Sequence, residues 1–125
     1  MSDCLFCKII AGDIPSDKVY EDEYTYAFRD INPVAPLHVL IIPKNHISMI
    51  NDVEESDVET MGRLFLSAKK ITKELGVAEE GYRTVMNCGE AAGQTVFHYH
   101  MHLIPKYDGI DFNIHAQTLA DSATL

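Results

Sequence analysis

The stretch Phe97-His98-Tyr99-His100-Met101-His102-Leu103-Ile104-Pro105 constrains the fold of this chain more than any other. Three histidines alternate with Tyr99 and Met101, and a period of two is the signature of a β-strand. On a strand, residues i, i+2 and i+4 share a face, so His98, His100 and His102 point one way and the apolar side chains the other. At about 3.3 Å of rise per residue, neighbouring imidazoles would stand about 6.6 Å apart, close enough to surround one small charged centre. A single histidine is usually structural. Three in strict alternation, out of six in the whole chain, point to a site. The prelude Gly93-Gln94-Thr95-Val96 fits this reading: a glycine permits close backbone approach to a ligand, and Gln94 and Thr95 offer hydrogen bonds to an oxyanion.

With 125 residues, the chain is expected to form one domain over 1–125, with 106–125 as a tail of no clear period. A net charge of −9 argues against nucleic acid or an anionic membrane as partner, since both call for clustered Lys and Arg. It leaves room for a small phosphorylated ligand. The start Met1-Ser2-Asp3-Cys4 has neither the basic residues nor the apolar run of a signal peptide, and no stretch reaches membrane-spanning length. A cytoplasmic location is expected, where the three cysteines are thiols or metal ligands rather than disulfides.

Cys4-Leu5-Phe6-Cys7 opens a short helical turn with Leu5, Phe6, Ile9 and Ile10 apolar and Gly12 as its stop. The Cys-x-x-Cys pair reads as half a zinc site, as a redox pair or as two packed thiols; His46 and His98 are candidates for the other half. Lys18–Glu21 and Tyr24–Arg29 read as strands around the turn at Asp22-Glu23. Asp30 in Asp30-Ile31-Asn32-Pro33 either caps a turn or accepts ribose hydroxyls. The apolar run Pro36–Pro43 suits a buried central strand. His38 at its head is either a satisfied core residue or a partner of the histidine cluster. Ser56-Asp57-Val58-Glu59 reads as a capping box opening one long helix. Its apolar face is Val58, Met61, Leu64, Phe65, Ala68, Ile71 and Leu75, and its stop is Gly76. Lys69, Lys70, Lys73 and Glu74 fall towards water. Tyr82–Asn87 is a further strand, and Cys88 beyond it reads as an inert buried thiol.

Taken together these segments resemble the histidine triad (HIT) nucleotide-binding proteins. His98-Tyr-His-Met-His-Leu-Ile is similar to that family's alternating histidine motif. The likeness extends through Cys4-x-x-Cys-Lys-Ile-Ile, Asp30-Ile-Asn-Pro, Pro36-x-His38, Ile42-Pro-Lys-x-His46 and Gly93-Gln-Thr-Val. It looks like the branch of Hint-like nucleoside phosphoramidases and their bacterial relatives, and Gly93-Gln-Thr-Val also resembles the fragile histidine triad branch of dinucleoside polyphosphate hydrolases. The resemblance implies an α+β fold with a five-stranded antiparallel sheet, one long and one short helix, and a homodimer joined across the long helix and the Tyr82–Asn87 strand. It implies release of a purine nucleoside monophosphate, AMP, through a nucleotidyl-histidine intermediate.

By the same resemblance His100 is the nucleophile, with His102, Thr95 and His38 as its catalytic partners. Asp30 would hold the ribose, while Phe28, Ile31 and Ile10 would wall the base pocket. Asn87, Gly93 and Gln94 would complete the nucleotide contacts. Zinc, as a structural ion, would sit on Cys4, Cys7, His46 and His98. Thr95 stands where phosphoramidases commonly carry Ser, and the chain from Lys106 departs from their C-terminal end. The alternatives are a dinucleoside polyphosphate hydrolase of the Ap3A or Ap4A type, and a nucleotide-binding regulatory module.

Overall fold

The computed structural model describes residues 3–105; the expected tail at 106–125 lies outside the described residues. The first helix, α1 (Leu5–Ala11), starts where the Cys4 sulfur accepts the Cys7 N–H at 3.4 Å. It stops at Gly12, whose φ of +85° is a conformation that side-chain-bearing residues avoid. Strands β1 (Lys18–Glu21) and β2 (Thr25–Arg29) form a hairpin. Asp22 holds its turn: one carboxylate oxygen accepts the Tyr24 and Thr25 N–H groups at 2.8 Å each.

Then come β3 (Val39–Pro43), α2 (Val58–Glu74), β4 (Tyr82–Val85) and β5 (Met101–Pro105). The sheet order is β1-β2-β3-β5-β4, antiparallel throughout. The expected α+β class, five-stranded sheet, and one long and one short helix are all present. Among the described residues no helix is long and apolar enough to cross a membrane.

Strict alternation sorts the strands onto two faces. Ala27, Val39, Ile41, Met101 and Leu103 pack with Leu64, Ala68 and Ile71 of α2. Tyr26, Phe28, Leu40 and Ile42 face the other way and pack with Phe6 and Ile9 of α1. The register aligns Phe28, Leu40 and His102 across three strands, so His102 lies on the α1 side. Strand β3 is buried along its whole length, as a run covered on both faces must be.

Three expectations need correction. The last strand begins at Met101, not Phe97. Its partner β3 ends at Pro43, which lacks an N–H to extend the ladder, and the Pro43 carbonyl is taken by the His98 ring at 2.8 Å. The capping box forms two residues early, between Glu54 and Asp57, and closes a 3-10 turn ahead of α2; Asp57, not Ser56, is the residue that precedes the helix. Finally, Val58 and Phe65 lie outside the core, at 65% and 53% exposure, with Leu66 exposed beside them. The buried side of α2 is completed instead by Thr60, Ser67 and Thr72. A polar residue is tolerated there because it is bonded: Ser67 Oγ meets Thr25 Oγ1 at 2.7 Å.

Leu64→Ala is expected to lower unfolding free energy by about 2–5 kcal/mol, since it opens a cavity in a filled core. Val58→Ala should change it by less than about 0.5 kcal/mol. Urea melts of the two variants, compared with wild type, check this assignment of the helix faces.

Candidate active site

Because the ladder starts at Met101, the three alternating histidines do not encircle one centre. They divide between two sites. The His98 ring packs at 4.9 Å against His46, while His100 and His102 face each other with ring centroids 5.0 Å apart. Phe6 bridges the two groups, its ring 5.9 Å from His98 and 5.2 Å from His100. His98, His100 and His102 are 0%, 5% and 4% exposed, so the hydrogen-bond partners of each ring decide its chemistry.

A carbonyl only accepts, so the ring nitrogen facing one carries the proton and the other keeps a lone pair. His98 Nε2–H donates to the Pro43 carbonyl at 2.8 Å, leaving Nδ1 free. His100 Nδ1–H donates to the His98 carbonyl at 2.8 Å, leaving Nε2 free. His38 is set the opposite way. The Val34 N–H donates to His38 Nδ1 at 3.2 Å, so the proton of the neutral ring is on Nε2, which donates to His102 Nδ1 at 2.9 Å. His102 therefore carries its proton on Nε2. His38 is the partner of His102 rather than of His100.

Burial lowers the pKa of the His38, His98, His100 and His102 rings, because a desolvated imidazolium is unfavourable. His102 is pushed down to about 3 by burial and by the neighbouring His100 and His38. Burial likewise lowers His100 and His38, against the opposing pull of Asp30 on both. At neutral pH the rings are uncharged. One offers a lone pair (His100 Nε2) and the next offers a hydrogen-bond donor (His102 Nε2–H).

The two carboxylate oxygens of Asp30 have different surroundings. One carboxylate oxygen caps the turn by accepting the Asn32 N–H at 2.8 Å. The other is buried, has no hydrogen-bond partner, and lies 3.7 Å from His38 Nε2. A buried carboxylate oxygen without a donor is costly unless a ligand supplies one. The residue Asp30 lines a cavity of about 200 Å³ together with His100, Phe28, Ile31, Phe6 and Ile9.

The other expected contact residues are held in different ways. Ile9, not Ile10, lines that cavity, because a two-turn helix sends the Phe6/Ile9 pair inward and leaves Ile10 at the edge. Asn87 is not among the cavity's lining residues. Gln94 is turned into the protein: its amide donates to the Ser48 and Val96 carbonyls and its oxygen accepts the Gly89 N–H, so it shapes the loop and offers nothing to an oxyanion. Gly93 at φ +99° lets that loop reverse. Thr95 is exposed on a neighbouring shallow depression that shares Leu5 and Val96 with the main cavity. Cys88 is half-buried.

Sequence reasoning did not single out Val34, Pro43 or the His98 carbonyl. Backbone groups leave no composition signal. It also passed over Phe6, although its place between two cysteines was a signal.

The donor atoms of Cys4, Cys7, His46 and His98 lie within 4.8 Å of one another. The Cys4 sulfur is 3.3 Å from His98 Nδ1, and the Cys7 sulfur is 3.4 Å from His46 Nδ1. Two thiols and two imidazoles are the donor set of a tetrahedral zinc site, and the nitrogen that His98 keeps free is the one facing the sulfurs. Asp30, His38 and His102 form a second, three-residue cluster with the same spread. It is not equivalent, because the Val34 N–H occupies His38 Nδ1 and so leaves a proton, not a lone pair, on Nε2.

Comparison with known proteins agrees with this geometry. The HIT domain family matches residues 11–109. The chain belongs to the HIT family. Its HIT relatives include the purine nucleoside phosphoramidase of Escherichia coli K12, 49% identical over 100 residues, which make up 80% of this chain and 84% of that protein. Protein hit of Bacillus subtilis is 52% identical over 106 residues, covering 83% and 71% of the two chains. The HIT family hydrolase of Clostridium thermocellum superposes with a TM-score of 0.85 at 47% identity, covering 91% of this chain and 99% of that one. The family is one of hydrolases that take small nucleotide substrates.

The buried, neutral histidines make stability depend on pH. His102 has a folded-state pKa of about 3 against an ordinary 6.5, so between these values the unfolded chain binds more protons and stability falls as pH falls. Its contribution is complete above 6.5 and gone below about 3. The slope is at most about 1.4 kcal/mol per pH unit for this one group. Denaturant melts from pH 7 to 4 should show the decline, shallower in His102→Asn; equal slopes would contradict the assignment.

Proposed function

We propose that this HIT protein hydrolyses purine nucleoside phosphoramidates and releases AMP through a nucleotidyl-histidine intermediate. The observation that carries the reading is the His100 ring, held by the His98 carbonyl so that an uncharged Nε2 lone pair is left for attack. His100 Nε2 attacks the α-phosphorus, the P–N bond breaks, and the amine departs. Water then attacks the same phosphorus, breaks the P–Nε2 bond and frees AMP. Covalent catalysis divides one difficult displacement into two easier ones.

His102 Nε2–H serves as a fixed donor to the phosphoryl oxygens. Thr95 stands on the phosphate side in this reading. The purine lies between Phe28, Phe6 and Ile9, and the ribose hydroxyls donate to the partnerless oxygen of Asp30. The similarity to the Escherichia coli phosphoramidase supports an amine leaving group over a second nucleotide.

Zinc on Cys4, Cys7, His46 and His98 would hold the N-terminal segment to the sheet and take no part in the reaction. Exposed Phe65 and Leu66 on α2, with Tyr82 on the edge strand β4, support a homodimer. In this reading the chain is a single domain that works in the cytoplasm.

The test is the intact-protein mass after brief incubation with an adenosine phosphoramidate. The expected result is a transient gain of one AMP, prolonged in His102→Ala and absent in His100→Ala. No adduct and no AMP release would overturn the reading. Asp30→Asn should weaken AMP binding by roughly 10- to 150-fold, the range for a lost hydrogen bond to a charged group. It should leave 2′,3′-dideoxy-AMP nearly unaffected, which calorimetric titration of both ligands would check.

A further inference from the structure

The Cys-x-x-Cys pair encloses Leu5 and Phe6, and both of these side chains line the cavity that holds His100. Phe6 is the residue common to the two centres. It is 4% exposed, and its ring meets His98 at 5.9 Å, His100 at 5.2 Å and Phe28 at 5.5 Å, edge-on in each case. One of these rings is a candidate metal ligand, one is the proposed nucleophile and one walls the cavity.

The helix carrying Phe6 has little to hold it in place. It is seven residues long, well below the roughly 12–15 at which an isolated helix sustains itself. The backbone hydrogen bonds of its ends close within the segment: Lys8 N–H to the Cys4 carbonyl, and Gly12 N–H to the Ile9 carbonyl. Its position against the sheet rests on the side chains of Phe6 and Ile9 and on the two cysteines that face His46 and His98. A metal on the four donors replaces weak thiol–imidazole contacts by ligand bonds at both ends of the Cys4–Cys7 turn. It also fixes the His98 ring, in the residue whose carbonyl orients His100.

Resting on the nucleotide and metal reading above, we propose that Phe6 is a positioning residue linking the two centres, so that a zinc ion and a purine nucleotide each tighten the binding of the other. The coupling is thermodynamic, hence reciprocal: the factor by which zinc improves nucleotide affinity equals the factor by which nucleotide improves zinc affinity. An apolar cavity wall fixed in advance lowers the ordering cost of binding. The expected factor is about tenfold, within the range usual for coupled sites.

The experiment uses the full chain. AMP is titrated calorimetrically into chelator-stripped and zinc-loaded protein, and zinc affinity is measured by competition with a chromophoric chelator, with and without saturating AMP. Equal factors of about tenfold in both directions are expected. Should stripping unfold the chain, the zinc titration with and without AMP gives the factor alone, and His46→Gln repeats the metal-poor arm without a chelator. In Phe6→Leu, which keeps an apolar side chain but removes the ring edge, zinc should bind as before in the absence of AMP and the coupling factor should fall towards one. A purely structural Phe6 would leave that factor unchanged.

Zinc and AMP that both bind, each indifferent to the other, would overturn the linkage and leave the proposed function standing. Full coupling in Phe6→Leu would overturn the role of Phe6. Failure of zinc to bind would remove the metal centre and the linkage together. Failure of AMP to bind either form would instead overturn the nucleotide reading itself.

Discussion

Three backbone groups decide what the buried histidines do: the carbonyls of Pro43 and His98, and the N–H of Val34. In water an imidazole exchanges its proton between nitrogens freely. Here the rings are desolvated, neutral and each bonded on at least one side, so the tautomer is set by the chain around it. The same side chain thereby yields a free nitrogen beside two thiols at His98, a free nitrogen in the cavity at His100, and a donor at His102. Shifting any of the three backbone groups would change the chemistry without changing a side chain.

Those backbone groups are where they are because of how β3 begins and ends. Pro43 closes the strand, and its carbonyl points to the His98 ring rather than into the ladder with β5. At the other end His38, just ahead of Val39, sits on the same face as Leu40, whose register partner is His102. A strand with every residue buried cannot slip by one position without turning its apolar side chains over. The strength of the core is therefore also the precision of the site, and the distances of 2.8–2.9 Å at the rings follow from it.

Features with a period were legible in the sequence. The alternation of Tyr99, Met101 and Leu103 with the histidines gave the two faces, and the three- and four-residue steps gave α2 with Leu64, Ala68 and Ile71 inside. Asp22, Gly12 and Gly76 punctuated the chain as their backbone preferences require. What escaped was decided by tertiary partners. Gln94 was read as a ligand contact, yet three backbone groups claim its amide. Ile10 and Ile9 are indistinguishable by composition, and only the direction in which a short helix meets the sheet separates them. Phe65 satisfies the helical period but faces outward, because Thr25 on β2 supplies a hydroxyl that makes Ser67 the better inward residue. The division of the triad between two centres was suggested by the Cys-x-x-Cys pair and the family resemblance, not by the strand period, since it depends on where a proline stops the neighbouring strand.

The fixed tautomers also limit how protons can move. A neutral His102 that surrendered its Nε2 proton would have to be resupplied at Nδ1 by His38. His38 in turn has only the Val34 amide beyond it, and a backbone N–H is not a source of protons near neutral pH. The relay therefore has no reservoir at its inner end. Asp30, 3.7 Å from His38 Nε2, attracts the proton to that nitrogen and reinforces the arrangement, with burial still holding both rings neutral. In the proposed reaction His102 thus stabilises developing negative charge by hydrogen bonding, and the amine nitrogen takes its proton from water as the P–N bond breaks. Transition-state stabilisation and proton delivery are separate tasks, and this cluster is built for the first.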